Sequence, residues 1–193
     1  MVVLSMTLAG GMSLTGTAQA DLSNVFNGIG ITSDNKPFTG GLDGVGYAYS
    51  GSLLKGLLTY NNVQFQVGAA DSADVVSGAG NVITLPGGNY STLLMLATAV
   101  NGAQLSQPFS VTYTDGSSVT FTQSLSDWFV PNNFSGEVTA LAMPYRNAAN
   151  GTRDSRAFSL YAYSFNLNSS KTASRITLPA NSNLKVFAIT LKH

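Results

Sequence analysis

The sequence predicts an all-β fold, an antiparallel β-sandwich, on three observations. The stretch Thr112-Tyr113-Thr114-Asp115-Gly116-Ser117-Ser118-Val119-Thr120-Phe121-Thr122 sets Asp-Gly between two runs rich in β-branched and aromatic residues, the strongest short-range hairpin signal a sequence offers. Runs of alternating apolar and polar residues recur along the chain, each bounded by Gly, Asn, Asp or Pro, the pattern of half-buried strands joined by turns. Only residues 50–58 read as a capped helix longer than two turns, so the fold class is a sandwich or barrel of many short strands.

The elements follow in order. Residues 1–20 are apolar and small and end in Ala18-Gln19-Ala20, an A-x-A-like cleavage site, so they read as the remnant of a secretory signal. No Lys or Arg precedes the apolar part, and the other reading of the segment is a first strand. The β-sandwich domain then runs over residues 21–193. Asn27-Gly28, Asp34-Asn35, Gly40-Gly41 and Asp43-Gly44 mark turns in its first part. Residues 62–67 alternate, with Val63, Phe65 and Val67 on one face. Residues 82–85 end at Pro86-Gly87-Gly88, and the apolar run 93–100 closes at Asn101-Gly102. Residues 109–113 and 119–122 are the arms of the hairpin. Residues 138–143 lead into Pro144-Tyr145-Arg146-Asn147, and residues 158–167 set Phe158, Leu160, Ala162 and Ser164 against Ser159, Tyr161, Tyr163 and Phe165. Residues 175–178 and 184–191 are the last strands.

Composition narrows the function. Only 9% of the residues are charged, and nine basic side chains balance nine acidic ones. A neutral chain without a basic cluster argues against nucleic acid and against an anionic membrane surface as partners. Once the leader is removed, no segment is left to insert in a bilayer. With no cysteine, disulfides and thiolate metal sites are excluded, and stability rests on packing. The single histidine is the last residue and Glu137 the only glutamate, so neither Ser-His machinery nor a glycosidase carboxylate pair is indicated. The expectation is a protein that is not an enzyme.

Two constellations can bind. Trp128, Tyr145 and Arg146, with Asp43 and Tyr47, combine aromatic platforms with planar polar groups, which is what a sugar's C–H faces and hydroxyls require. The competing reading makes the same residues fasteners, with Trp128 buried and Arg146 bridged to Asp127 or Asp43. Asp34, Asn35 and Asp43 are candidate oxygen ligands for Ca²⁺. The competing reading there is turns capped by aspartate.

The motifs also carry a family resemblance. Asp21-Leu22-Ser23-Asn24-Val25-Phe26-Asn27-Gly28-Ile29-Gly30-Ile31-Thr32 and Leu42-Asp43-Gly44-Val45-Gly46-Tyr47-Ala48-Tyr49-Ser50 open the domain. Asn62-Val63-Gln64-Phe65, Leu85-Pro86-Gly87, Val100-Asn101-Gly102 and the hairpin follow. Ser126-Asp127-Trp128, Pro144-Tyr145-Arg146-Asn147, residues 171–179 and residues 185–189 complete the order. This succession resembles an accessory β-sandwich module found beside catalytic domains of bacterial, especially actinobacterial, glycoside hydrolases. The resemblance implies a galactose-binding-like jelly roll that assists carbohydrate-active enzymes, without specifying its ligand. With a neutral, aromatic-bearing, hydroxyl-rich surface, the expected partner is a glycan or cell-surface polysaccharide, and the expected place is outside the cell or on its surface. Together these readings give a secreted, non-catalytic, lectin-like carbohydrate-binding module. The alternative is a self-associating structural protein of the surface or matrix, because low charge leaves few guards on strand edges.

The hairpin reading has a direct test. Gly116 is expected at positive φ, so Gly116→Val costs on the order of 1 kcal/mol or more through the left-handed penalty on a Cβ. Thermal unfolding of the variant measures it, and an unchanged melting temperature places the turn elsewhere.

Overall fold

The computed structural model describes residues 16–193. The greater part of the expected leader, residues 1–15, lies outside the described residues. Sixteen strands follow one another among those described. They are β1 (Thr17–Gln19), β2 (Ile31–Thr32), β3 (Tyr47–Ser50), β4 (Leu57–Tyr60), β5 (Val63–Gln66), β6 (Val76–Ser77), β7 (Val82–Gly88) and β8 (Thr92–Ala99). The second half adds β9 (Gln104–Tyr113), β10 (Ser118–Leu125), β11 (Glu137–Met143), β12 (Arg146–Ala148), β13 (Arg153–Asp154), β14 (Phe158–Asn166), β15 (Ala173–Thr177) and β16 (Leu184–Lys192). The all-β sandwich predicted from the sequence is the fold.

A six-stranded sheet in the order β1-β16-β8-β14-β11, with β6 also on β16, forms the centre. One face packs on a four-stranded sheet ordered β10-β9-β15-β7. Leu93, Met95 and Ala97 of β8, Tyr161, Tyr163 and Phe165 of β14, and Val186, Ile189 and Leu191 of β16 meet Ile83, Phe109, Val111 and Ile176 across that interface. The opposite face is apolar as well. Leu96, Phe158, Leu160, Ala162, Phe187 and Ala188 pack there against Ile31, Tyr49, Val63 and Phe65. Those partners come from a small sheet ordered β13-β12-β3-β2 and from the β4-β5 hairpin. A sheet buried on both faces reads as nearly continuous hydrophobic sequence, which is why residues 93–100 show no alternation. In β16 a bulge between Val186 and Ala188 places Phe187 and Ala188 together on the second face while Val186 and Ile189 keep the first.

Several details differ from the sequence expectation. Residues 50–58 form no helix. Leu53 and Leu54 donate to the Ser50 carbonyl at 3.1 and 2.9 Å in a single turn, and β4 follows. A helix there would withdraw Leu54 (1% exposed) and the β4 residues from the second core. Thr17–Gln19, placed in the leader by the sequence, pair with Thr190, Leu191 and Lys192 as an edge strand, and Ala18 and Ala20 pack against the first core. The pair β2–β3 is parallel, whereas every other strand pair described is antiparallel.

The hairpin connecting β9 and β10 is a three-residue loop. Tyr113 N–H donates to the Ser117 carbonyl at 2.9 Å, and Gly116 N–H donates to the Tyr113 carbonyl at 3.1 Å. Gly116 sits at φ +83° while Asp115 keeps negative φ. This is a type I turn followed by a left-handed glycine, not the two-residue turn that Asp-Gly also permits. The Asp115 side chain accepts from Ser117 N–H at 2.9 Å, which fixes the turn. A Cβ on Gly116 meets nothing within 4 Å, so the cost of substitution there is backbone strain alone.

Asp74 ties the second face together. It is fully buried, and its carboxyl accepts the N–H groups of Gly30 at 2.6 Å and Ile31 at 3.0 Å. No cation pairs with it among the described residues. Burial pushes its pKa up to about 7, against the two amide bonds that favour the carboxylate. The folded state therefore holds the proton more tightly than the unfolded chain between pH of about 4 and about 7. Stability from this group is complete below about pH 4 and is lost as the pH rises toward about 7, by at most about 4 kcal/mol. Urea unfolding of the wild type and of Asp74→Asn from pH 4 to pH 8 isolates the effect. The free-energy advantage of the wild type over the variant should shrink across that range; an advantage that grows with pH contradicts it.

Candidate functional site

Four of the residues singled out from the sequence, Asp43, Tyr47, Trp128 and Arg146, meet at one end of the second face, around Arg146. β12 lies beside β3 with Asn147 opposite Ala48 and Ala148 opposite Tyr47, which brings Arg146 next to the Asp43–Tyr47 loop. Its guanidinium carbon lies 3.7 Å from the centre of the Tyr47 ring, 4.5 Å from Phe158 and 4.7 Å from Trp128. Trp128 and Phe158 are core residues, 3% and 0% exposed, and Trp128 meets Tyr49 edge-on at 5.2 Å. Read outward, the order is Trp128 and Phe158, then Arg146, then Tyr47, which is half-exposed. A weakly hydrated, planar guanidinium suits such stacking.

A buried cation needs anions. Arg146 Nε donates to Asp154 Oδ2 at 2.9 Å, and its Nη1 lies 3.6 Å from Asp43 Oδ2. Asp43 is aimed by its own loop, accepting Val45 N–H at 3.0 Å and Tyr47 N–H at 3.2 Å. Gly41 lets that loop close. It sits at φ +113°, and a Cβ there would lie 2.6 Å from the Tyr47 carbonyl oxygen. Asp154 also pairs with Arg156, and Arg156 first, with burial opposing and Arg146 adding to it, holds its carboxyl below the usual range. Asp127 does not reach Arg146. It accepts Gly102 N–H and Phe129 N–H, both at 2.8 Å, and so ties the Asn101-Gly102 turn to the segment after Trp128.

Tyr145 belongs to an adjoining polar network on the other side of β12. Its hydroxyl donates to Asp34 Oδ2 at 2.6 Å. The Asp34 carboxylate also takes Ser50 Oγ, Asn147 Nδ2 at 3.0 Å and Arg153 Nη2 at 3.0 Å. Burial raises its pKa, but the donors from Ser50, Tyr145 and Asn147 outweigh that and hold it below the ordinary value. The Arg153 guanidinium lies 4.3 Å over the Tyr145 ring. Asn147 is 2% exposed. Its amide donates to Thr32 O at 2.9 Å as well as to Asp34, which sets its orientation, and its buried Oδ1 has no protein donor.

The candidate calcium ligands do not come together as a metal site. Asp34 is occupied by four protein donors, Asn35 lies in a left-handed turn at φ +58°, and Asp43 caps its loop and faces Arg146. No group of three or more His, Asp or Glu side chains gathers among the described residues. The terminal His193 stacks against Tyr90 at 4.5 Å, and the Glu137 carboxylate accepts from Ser126 N–H at 2.8 Å and Tyr163 O–H at 2.6 Å. Neither belongs to the arginine cluster.

Sequence reasoning passed over Arg153, Asp154, Arg156, Phe129 and Phe158. The signal was present: Arg153-Asp154-Ser155-Arg156 puts three charges in four positions of a chain that is 9% charged. At the rim, Arg153 and Arg156 expose 43% and 50% of their side chains, and Phe129 lies 4.4 Å beneath the Arg156 guanidinium. A sizeable concavity lies elsewhere. A cleft of about 510 Å³ runs between Gln19, Asp21, Phe26, Gln66 and Ala73, where Gln66 N–H and Asp21 are already bonded within the chain. The planar polar groups and rings converge instead at the arginine cluster.

A family model described as an AziU2-like beta-sandwich domain matches residues 17–193. The chain belongs to that family. No curated protein matches it.

The stack predicts a measurable cost. Arg146→Met leaves Asp43 and Asp154 without their buried cation and should cost about 3 kcal/mol, since breaking a buried pair by removing one partner is strongly destabilising. Urea unfolding measures it. A loss below about 0.5 kcal/mol, the range of ordinary surface substitutions, contradicts the fastener role.

Proposed function

We propose that this AziU2-like β-sandwich domain is a secreted, non-catalytic carbohydrate-binding module of jelly-roll type. Its glycan meets the end of the sandwich that carries Tyr47, Tyr145, Arg153 and Arg156. One observation carries the reading: Tyr47 is the outermost layer of the Trp128/Phe158–Arg146–Tyr47 stack. Arg146 supports the Tyr47 ring from the core side, and Tyr47 is the least buried of the three rings the guanidinium touches. Rigid aromatic faces beside planar hydrogen-bonding groups are what a pyranose needs, because its C–H face stacks while its hydroxyls are read laterally. Asp43, Trp128 and Arg146 act behind that surface, as supports. The resemblance of the motif order to accessory modules of glycoside hydrolases is in keeping with a carbohydrate ligand.

Affinity electrophoresis through gels containing a panel of plant, fungal and bacterial polysaccharides tests the proposal. The wild type should be retarded by at least one of them. Tyr47→Ala should lose that retardation with little change in melting temperature, while Trp128→Ala should lose about 3–5 kcal/mol of stability as a buried aromatic does. No retardation on any polysaccharide, or unchanged retardation of Tyr47→Ala, overturns the proposal.

A further inference from the structure

The four-stranded sheet ends in an edge that is unguarded over residues 118–123. β10 pairs with β9 alone. Because Tyr113 bonds to Ser117 across the turn and the ladder alternates from there, Val119 and Phe121 turn their backbone groups toward β9. Ser118, Thr120 and Thr122 therefore point their N–H and C=O groups out of the sheet. Edges of this kind are normally blunted by charge, proline, a bulge or shortness. The other long edges carry such devices: β7 contains Pro86 and an irregular register against β15, and β11 begins with Glu137 and is bulged between Thr139 and Leu141. β1, β2 and β13 are two or three residues long. β10 runs for eight residues, Ser118–Leu125, without a charge or a proline; its one irregularity lies at the far end, between Gln123 and Leu125, and leaves residues 118–123 in regular register against β9.

We propose that the domain dimerises through β10, two copies pairing antiparallel about Thr120 so that their four-stranded sheets join into one. The strand is self-complementary in that register. Thr120 faces itself, and Ser118 faces Thr122 of the second copy, so every outward N–H and C=O in this stretch finds a partner. On the inner face Val119 meets Phe121 of the second copy, and Phe121 meets its Val119. These are aromatic–β-branched cross-strand pairs, among the favourable ones in sheets. Both side chains are only partly buried against the first core, and Phe121 already stacks on Phe165 at 5.1 Å, so pairing completes the burial of that row. The uncharged strand brings no like charges together at the two-fold axis, which is the complementarity an isologous contact requires. The contact is small, so the dimer belongs to the weak, concentration-dependent class.

Substitution at the axis tests this. Thr120 is exposed and its N–H is unused within the fold, so Thr120→Lys and Thr120→Glu should fold with unchanged circular dichroism and melting temperature. Sedimentation velocity across a concentration series should show a monomer–dimer equilibrium for the wild type. Each variant, with like charges directly opposed, should raise the dissociation constant about five-fold or more, and an equimolar mixture of the two should restore the dimer as a mixed pair. A wild type that stays monomeric overturns the proposal. So do variants that dimerise as the wild type does, or a mixture that stays monomeric.

Discussion

The constraint on which the rest of the structure depends is that the central sheet is apolar on both faces. In β8, Leu93, Met95, Ala97 and Ala99 face the first core, while Leu96 and the following Val100 face the second. Neither face can be left to water, because each carries several fully buried aliphatic and aromatic side chains, worth roughly 1.5–3 kcal/mol apiece. One regular four-stranded sheet covers the first face. The second is covered piecemeal by a small sheet, the β4-β5 hairpin and the loops before β3. Those pieces are too short to be independently stable, so they hold only because they are fastened to the central sheet and to one another.

Acidic side chains, charged or, for Asp74, favouring the proton, serve as those fasteners. Asp74 pins the Gly30–Ile31 backbone, Asp34 gathers Ser50, Tyr145, Asn147 and Arg153, and Asp43 with Asp154 neutralises the Arg146 guanidinium inside an aromatic stack. In a chain with so few ionic groups this is a concentrated use of them, all on the layer that lacks long strands. The same arrangement gives the proposed binding surface its rigidity. Tyr47 is positioned from beneath by Arg146 and from the side by its own loop, so a ligand stacking on it loses little affinity to ordering the site.

Much of this was legible in the sequence, for identifiable reasons. The alternation of Val63, Phe65 and Val67, the two-faced alternation of residues 158–167 and the Asp-Gly hairpin are local patterns that tertiary contacts do not override. The short strands β2, β3, β6, β12 and β13 were not legible, because two to four residues carry no period, and their pairing is decided by the core they cover. Residues 50–58 looked helical by pattern, but Leu54 and Leu58 are needed on the second core. At the site, the convergence of Asp43, Tyr47, Trp128 and Arg146 was expected from residue types. Whether Arg146 read a ligand or served the core was not decidable without the Trp128–Arg146–Tyr47 stacking order. That Asp154 and Phe158 bracket Arg146 became visible only once β13 paired with β12 and the second core brought Phe158 against the guanidinium.

Hydrogen exchange followed by mass spectrometry on the wild type and on Arg146→Met addresses the central claim most directly. If fasteners hold a dependent layer onto a self-sufficient sandwich, the variant should lose protection in β2, β3, β12 and β13. The amides of β9, β15, β8 and β16 should keep theirs under conditions where local opening dominates. A uniform loss of protection across both layers would contradict the account, and so would unchanged protection in β3 and β12.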